Sequence, residues 1–295
     1  MQRVEAEIKR VVNEIDYDEV TRLFEMLSGG KRLRAKLILK IAGEDERAPL
    51  LAAIVELIHA ASLLHDDVID DADTRRGVPS VNATDGSKTA VMLGDILYSK
   101  GFTELVAFEK DVATTIAASV TALSKGEMMD VKMAESFNSD EKRYLDMLYL
   151  KTATLIEAAA KASALLVGKD ASSHALYGRN LGLSFQIIDD ILDITADEKT
   201  LGKPAMNDYV EGKCTLPYIY LYRALNDEEK ERLVSYHGKN ISKDDTLWIL
   251  NKMQEHKTIE KSFELAKKLS DEAKDAMQND EDLVNILDTM IKRSY

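Results

Sequence analysis

Apolar residues recur along most of this chain at helical spacing and seldom alternate. Val4, Ile8, Val11, Val12 and Ile15 make one stripe, which predicts an amphipathic helix over residues 3–27, closed by Ser28-Gly29-Gly30. A more apolar helix is expected over 47–71, with others over 87–110, 111–136 and, from a Ser139 cap, 140–167. The last is rich in small residues and has Lys151 as its cation in the middle. Residues 177–194 repeat the apolar helical pattern. Residues 197–217 hold the breakers Gly202, Pro204, Gly212 and Pro217 and read as a loop, and more amphipathic helices follow. Four prolines and 14 glycines leave few breakers among 295 residues. The expected fold class is therefore all-α, and the length alone allows one large domain or two ordinary ones.

Composition narrows the function. A hydrophobic content of 45% supports a large core, and a net charge of −13 argues against a nucleic-acid binder, which needs a basic footprint. Cys214 stands alone, so no internal disulfide is available and a reducing, cytoplasmic setting is expected. The start, MQRVEAEIKRVV, lacks the apolar core of a signal peptide. The best apolar run, Leu50 to Leu64, carries Glu56 and His59 and is short for a bilayer, so no transmembrane segment is expected.

The chemistry concentrates in two acidic helices. Between His59 and Gly77 lie Asp66, Asp67, Asp70, Asp71 and Asp73, then Arg75 and Arg76, and Gly77 and Pro79 are expected to stop the helix. Residues four apart share a helical face about 5–6 Å apart, so Asp66 and Asp70 point the same way, with His59 and Ser62 toward the N-terminal end of that side. About 120 residues later Asp189, Asp190 and Asp193 repeat the spacing, with Gln186 one turn before. One acidic cluster is ordinarily solvated surface or a helix cap. Two, each inside an apolar helix, suit hard oxygen ligation of Mg²⁺ shared with substrate phosphates. Lys31, Arg34, Arg75, Arg76, Lys151 and Lys203 could hold further phosphate oxygens. The run Gly29-Gly30-Lys31-Arg32-Leu33-Arg34 reads either as an anion site at a helix start or as a helix C-cap with a solvated basic turn. No Gly-rich P-loop points to a nucleotide.

In order, GGKRLR, LLHDDVIDDADTRRG, KTA, FQIIDDILD and LGKP…EGKCTLP resemble the trans-isoprenyl diphosphate synthases, or polyprenyl synthetases, over roughly Gly29 to Pro217. The resemblance implies an all-α isoprenoid synthase fold, a single large bundle of antiparallel helices around a deep central cavity in one domain over 1–295, usually homodimeric. It implies that Asp66, Asp70 and Asp189 bind a cluster of about three Mg²⁺ ions per active site, supported by Asp67, Asp190 and Asp193. Arg75, Lys151 and Lys203 would help hold the diphosphate of an allylic substrate. Lys31, Arg34, His59 and Arg76 would grip isopentenyl diphosphate. Thr152 and Gln186 would line the reacting allylic head, and Lys213 matches a position near the mouth. The implied chemistry is ionisation of the allylic diphosphate, attack by isopentenyl diphosphate and loss of a proton.

Ala61 and Ser62, five and four residues before Asp66, are small where short-chain members carry a bulky aromatic. A product longer than farnesyl diphosphate is therefore expected, geranylgeranyl, geranylfarnesyl or longer. Its stop would lie deeper, at Ile58, Ile54 or the helix around 115–130. Two positions depart from the family: Ala35 stands where proline is usual, and Met206 near a usual glycine. A class I terpene cyclase is an alternative, but its second metal motif typically mixes Asn, Ser/Thr and Glu. A non-catalytic subunit of a heteromeric prenyltransferase typically lacks one aspartate motif, and both are present here. The lipid-like product leaves room for transient membrane contact.

Overall fold

The apolar stretch expected to open the first aspartate motif becomes a 22-residue helix buried on nearly every side. The computed structural model describes residues 1–27, 30, 32–75, 77–195, 206–277 and 280–291, the side chains of 290 and 291 excepted. Of the site residues named above, Lys31, Arg76 and Lys203 lie outside these, as do Ser28 and Gly29 of the expected helix end and the breakers Gly202 and Pro204. In chain order the helices are α1 (Gln2–Asn13), α2 (Asp18–Met26), α3 (Leu33–Ala42), α4 (Ala48–Ile69), α5 (Val81–Asp85), α6 (Ser87–Leu105) and α7 (Lys110–Ala134). Next come α8 (Glu141–Leu148), a π-helical turn (Tyr149–Ala153), α9 (Thr154–Leu166), α10 (Ala171–Thr195), α11 (Asn207–Val210) and α12 (Leu216–Ala224). The run ends with α13 (Asp227–Ser235), α14 (Lys243–His256), α15 (Thr258–Ala276) and α16 (Glu281–Ile291). Between α4 and α5 the strands β1 (Thr74–Arg75) and β2 (Val78–Pro79) form a small antiparallel hairpin, Thr74 opposite Pro79 and Arg75 opposite Val78.

The expected helix over 3–27 is two helices. Asp16 takes a left-handed conformation at φ 54°, a conformation aspartate tolerates better than most residues, and the chain turns there before restarting at Asp18. The cap expected at Ser139 is Asp140, whose carboxylate accepts the Arg143 N–H. The helix of the first aspartate motif ends at Ile69, well before Gly77, which instead takes φ 78° beside the hairpin.

The chain divides into two compact units, Met1–Val120 with Ala158–Ala175, and Thr121–Glu157 with Leu176–Tyr295. In the first, α4 packs against α1, α3 and α6. Val4, Ile8, Val11 and Val12 of α1 are buried, and Arg10 on its polar side reaches Glu7, Glu14 and Glu104. Helix α4 is long and apolar enough to cross a membrane by length and composition, against the expectation of too short a run. However, 78% of its apolar window is buried inside the protein, as in the core helix of a soluble fold. Gly94 of α6 gives His65 of α4 its seat: a Cβ there would lie 2.3 Å from His65 Nε2.

In the second unit α12 packs on α14 and α15. Helix α15 turns a stripe of small residues inward, Ser262, Ala266, Ser270 and Ala273, which permits close helix contact. The Ser184 hydroxyl of α10 donates to the Ala266 carbonyl at 2.9 Å. Tyr209 and Tyr218 stack at 4.1 Å between ring centroids within this core. Asn226 and Glu229 close a reciprocal capping box on α13.

Candidate active site

Helix α4 delivers Asp66 and Asp67 in its last turn, and Asp70 caps it, donating its N–H to the Asp66 carbonyl at 2.8 Å. Asp66 and Asp70 thus remain one turn apart. Asp71 turns the chain at φ 48°, and the Ala72 N–H returns to the Asp67 carbonyl at 2.9 Å. Ser80 pins the loop from its other end. Its N–H donates to the Asp73 carbonyl at 3.0 Å and its hydroxyl to the Ala72 carbonyl at 2.6 Å, while the same hydroxyl caps α5. The carboxylates then differ by depth: Asp66 is half-buried, Asp70 exposed and Asp67 only 3% exposed. A buried carboxylate needs a counter-charge. Arg75 supplies it from the hairpin, with Nε 2.8 Å and Nη2 2.6 Å from Asp67 Oδ1. Arg75, expected on the allylic diphosphate, is therefore already engaged by Asp67.

Glu56 is the other buried acid of α4. Its carboxylate accepts Arg32 Nη1 at 3.1 Å and the Ala35 N–H at 3.1 Å, which fixes the start of α3. Arg34 follows in the first turn of α3. Its Nε is buried with no hydrogen-bond partner among the described residues, and burial pulls the guanidinium below its usual pKa, partly offset by the Glu56 charge. His59 is half-buried and its carbonyl accepts the Ser62 hydroxyl at 2.9 Å. Ala61 and Ser62 are both buried.

In the second unit Asp189 is exposed while Asp190 and Asp193 are buried. Asp190 Oδ2 accepts the Tyr144 hydroxyl, and Asp190 Oδ1 accepts Gln186 Nε2 at 2.9 Å. Gln186 Oε1 in turn accepts the Thr152 hydroxyl at 3.1 Å, so one chain of hydrogen bonds runs from Thr152 through Gln186 to Asp190. Burial, then the nearby Asp208 charge, push the Asp190 carboxyl well above its usual pKa. Asp193 receives the Asp208 N–H on Oδ2 at 3.1 Å and the Met206 N–H on its carbonyl at 2.8 Å. It thereby ties Met206 and Asp208 to the last turn of α10. Met206 takes the left-handed φ of 62° there, a backbone state in which a glycine would carry no steric cost.

Lys151 and Thr152 sit in the π-helical turn. Lys151 Nζ lies 2.6 Å from Asp130 Oδ2 and 2.9 Å from Glu127 Oε2. Burial alone would lower its pKa, but the charges of Asp130 and Glu127 outweigh it and the net shift is upward, so the ammonium stays charged. Lys151, Thr152, Gln186, Asp190, Asp208 and Lys213 line one cavity of about 160 Å³. That is below the roughly 300–1,000 Å³ of drug-sized ligand clefts, so the cavity suits a polar headgroup. Lys213 pairs with Glu211 at 2.7 Å. Cys214 lies at the same wall, and burial pushes its thiol far above its usual pKa.

The donor chemistry fits Mg²⁺. In the first unit Asp66 is half-buried and Asp70 exposed, and in the second Asp189 is exposed, carboxylates of the hard-oxygen type that Mg²⁺ takes. Among the described residues no three His, Cys, Asp or Glu side chains gather into a ready-made metal cage. Mg²⁺ commonly takes one or two carboxylates and completes its shell with water and substrate phosphates. The sequence reading missed Glu127, Asp130, Tyr144 and Asp208. Only Glu127 and Asp130, three apart in the stretch GEMMD of a helix, carried a signal.

Comparison with known proteins places this arrangement. Residues 18–255 match the Polyprenyl synthetase family. The chain is 36% identical over 250 residues to a short chain isoprenyl diphosphate synthase of Methanothermobacter thermautotrophicus, covering 80% of this chain and 77% of that one. The octaprenyl pyrophosphate synthase structure from Helicobacter pylori superposes with a TM-score of 0.94 at 41% identity, over 99% of this chain and 98% of that one. A polyprenyl synthase structure from Caulobacter crescentus, complexed with calcium and isoprenyl diphosphate, gives 0.83 at 30% identity over 98% of each. The ordered motifs, the helical fold and these relatives together show that the chain belongs to the polyprenyl synthetase family of prenyl-transferring enzymes.

Proposed function

We propose that the chain condenses isopentenyl diphosphate with an allylic diphosphate, head to tail, to give an all-trans polyprenyl diphosphate longer than farnesyl. One observation carries the reading. In each aspartate motif the first carboxylate is accessible while the second is buried in a hydrogen-bonded pair, Asp67 with Arg75 and Asp190 with Tyr144 and Gln186. Asp66, Asp70 and Asp189 are the proposed Mg²⁺ ligands, and Asp67, Asp190 and Asp193 hold the helix ends that present them. Mg²⁺ bound there would supply Lewis-acid neutralisation of the departing diphosphate.

The chain's own groups take the remaining roles. Lys151, kept charged by Asp130 and Glu127, acts as a fixed cation toward the allylic phosphates and is unsuited to be a base. Arg75 and Lys203 assist it. Thr152 Oγ1 and Gln186 Oε1 line the cavity and each has a lone pair beyond their mutual bond, so both can face positive charge developing on the allylic carbon. Arg34, His59, Lys31 and Arg76 are proposed for isopentenyl diphosphate, and Lys213 for the cavity rim. No side chain in these motifs is an obvious base, so the released diphosphate is assigned the final proton. The small, buried Ala61 and Ser62 leave space for a tail beyond fifteen-carbon farnesyl.

We also read the chain as one isoprenoid synthase domain and a homodimer. The family match runs through both units. Val91, Met92 and Phe102 of α6 are exposed apolar residues of the kind that subunit contacts cover. The single, buried Cys214 supports a reducing, cytoplasmic setting. Asp66→Ala and Asp189→Ala, made separately, should each abolish turnover while circular dichroism stays that of the wild type. Turnover retained in either variant would remove the metal assignment.

A further inference from the structure

We propose that Gly126 and Gly182 are positioning residues for prenyl transfer: they let α7 and α10 close directly on the π-helical turn that carries Lys151 and Thr152. The inference rests on the assignment of those two side chains to the reaction. A π-helical turn is rare and inserts one extra residue into a helix, so it persists where its surroundings hold it. Here two backbones do so. A Cβ on Gly126 would lie 2.3 Å from the Lys151 nitrogen, 2.5 Å from the Leu150 carbonyl carbon and 2.7 Å from Lys151 Cα. A Cβ on Gly182 would lie 2.6 Å from Ala153 Cα and 2.7 Å from Ala153 Cβ. Ordinary contact begins near 3.4 Å, and these neighbours are main chain or the first side-chain atom, which no rotamer change can move aside. Neither glycine has a positive φ, so what requires glycine is proximity and not backbone conformation.

Each glycine also belongs to a helix that makes a polar contact to the same turn. Glu127, beside Gly126, and Asp130, one turn on, hold the Lys151 ammonium. Gln186, one turn after Gly182, receives the Thr152 hydroxyl. Backbone approach and polar grip therefore coincide twice, on the two side chains assigned to the allylic head. A methyl group at either glycine would push the turn by on the order of 1 Å, and a displacement of that size can cost about 10²-fold in rate.

The test uses the full chain with Mg²⁺, isopentenyl diphosphate and an allylic diphosphate. Gly126→Ala should keep a cooperative melt and lose about 10²-fold in kcat with KM for isopentenyl diphosphate unchanged. On a Lys151→Ala background the same change should cost less than about 2-fold, because the side chain it positions is gone. Wild-type kcat in Gly126→Ala, or full additivity with Lys151→Ala, would overturn the inference. Wild-type kcat in Lys151→Ala would overturn the underlying assignment as well. Ala153→Ser enlarges the opposite side of the Gly182 contact by one atom and is the milder variant should the alanine changes not fold. It should lower kcat several-fold at an unchanged melting temperature, and an unchanged kcat would count against the proposal.

Discussion

Asp130→Asn isolates one charge in the grip on Lys151. The three side chains concerned are 22% (Lys151), 10% (Asp130) and 11% (Glu127) exposed, with the ammonium 2.6 Å from Asp130 and 2.9 Å from Glu127. Stripping a buried ion of its partner typically costs about 3–5 kcal/mol. Here Glu127 remains, and asparagine still accepts a hydrogen bond, so the loss is the charge-assisted part, about 1.5–3 kcal/mol. At roughly 2–4 °C per kcal/mol the melting temperature should fall by about 3–12 °C. The Lys151 pKa should fall too, since burial still lowers it while one of the two opposing charges is gone. Lys151→Met alone leaves two buried carboxylates facing each other. The double variant Lys151→Met/Asp130→Asn should therefore lose less stability than the two single changes added together. Thermal melts of the four proteins decide it. A melt of Asp130→Asn within about 1 °C of wild type, with simple additivity in the cycle, would refute the reasoning.

Two further outcomes follow from the same geometry. Ala61 is fully buried on α4, so Ala61→Phe should shorten the product at a stability cost of about 1–3 kcal/mol, and an unchanged chromatographic product profile would rule out Ala61 as part of the floor. Burial holds the folded Cys214 pKa far above that of an unfolded thiol, so it remains a thiol at pH 8. The sign follows: any stability tied to this group is complete below the unfolded thiol pKa and declines as pH rises past it. A thiol reagent at pH 8 should label Cys214 slowly in the native chain and at once in urea, and fast native labelling would contradict its burial.

The helical class was readable because breakers are few and apolar residues keep a 3.6-residue period over long stretches. The finer breaks were not. Asp16 and Asp71 reverse the chain in a left-handed conformation that no glycine announces, which joined α1 to α2 and extended α4 in the reading from sequence. The π-helical turn leaves no periodic trace, because one extra residue at Tyr149–Ala153 shifts the stripe by less than a turn. At the site, the paired carboxylates and the lone mid-helix Lys151 were visible in the spacing itself, whereas roles for Thr152 and Gln186 came only from the family resemblance. Their partners could not. Tyr144 reaches Asp190 across 46 positions and Asp130 reaches Lys151 across 21, distances that only tertiary packing closes. Glu56 stood out as an acid within an apolar run, but its pairing with Arg32 depends on the left-handed Arg32 that opens α3.

The most direct test of prenyl transfer at these aspartates is product analysis of the purified chain. It would be incubated with Mg²⁺, isopentenyl diphosphate and, in turn, each allylic diphosphate primer, and the dephosphorylated products separated by length. Elongation that stops on Mg²⁺ removal and yields chains longer than farnesyl is predicted. No elongation from any primer would contradict the account.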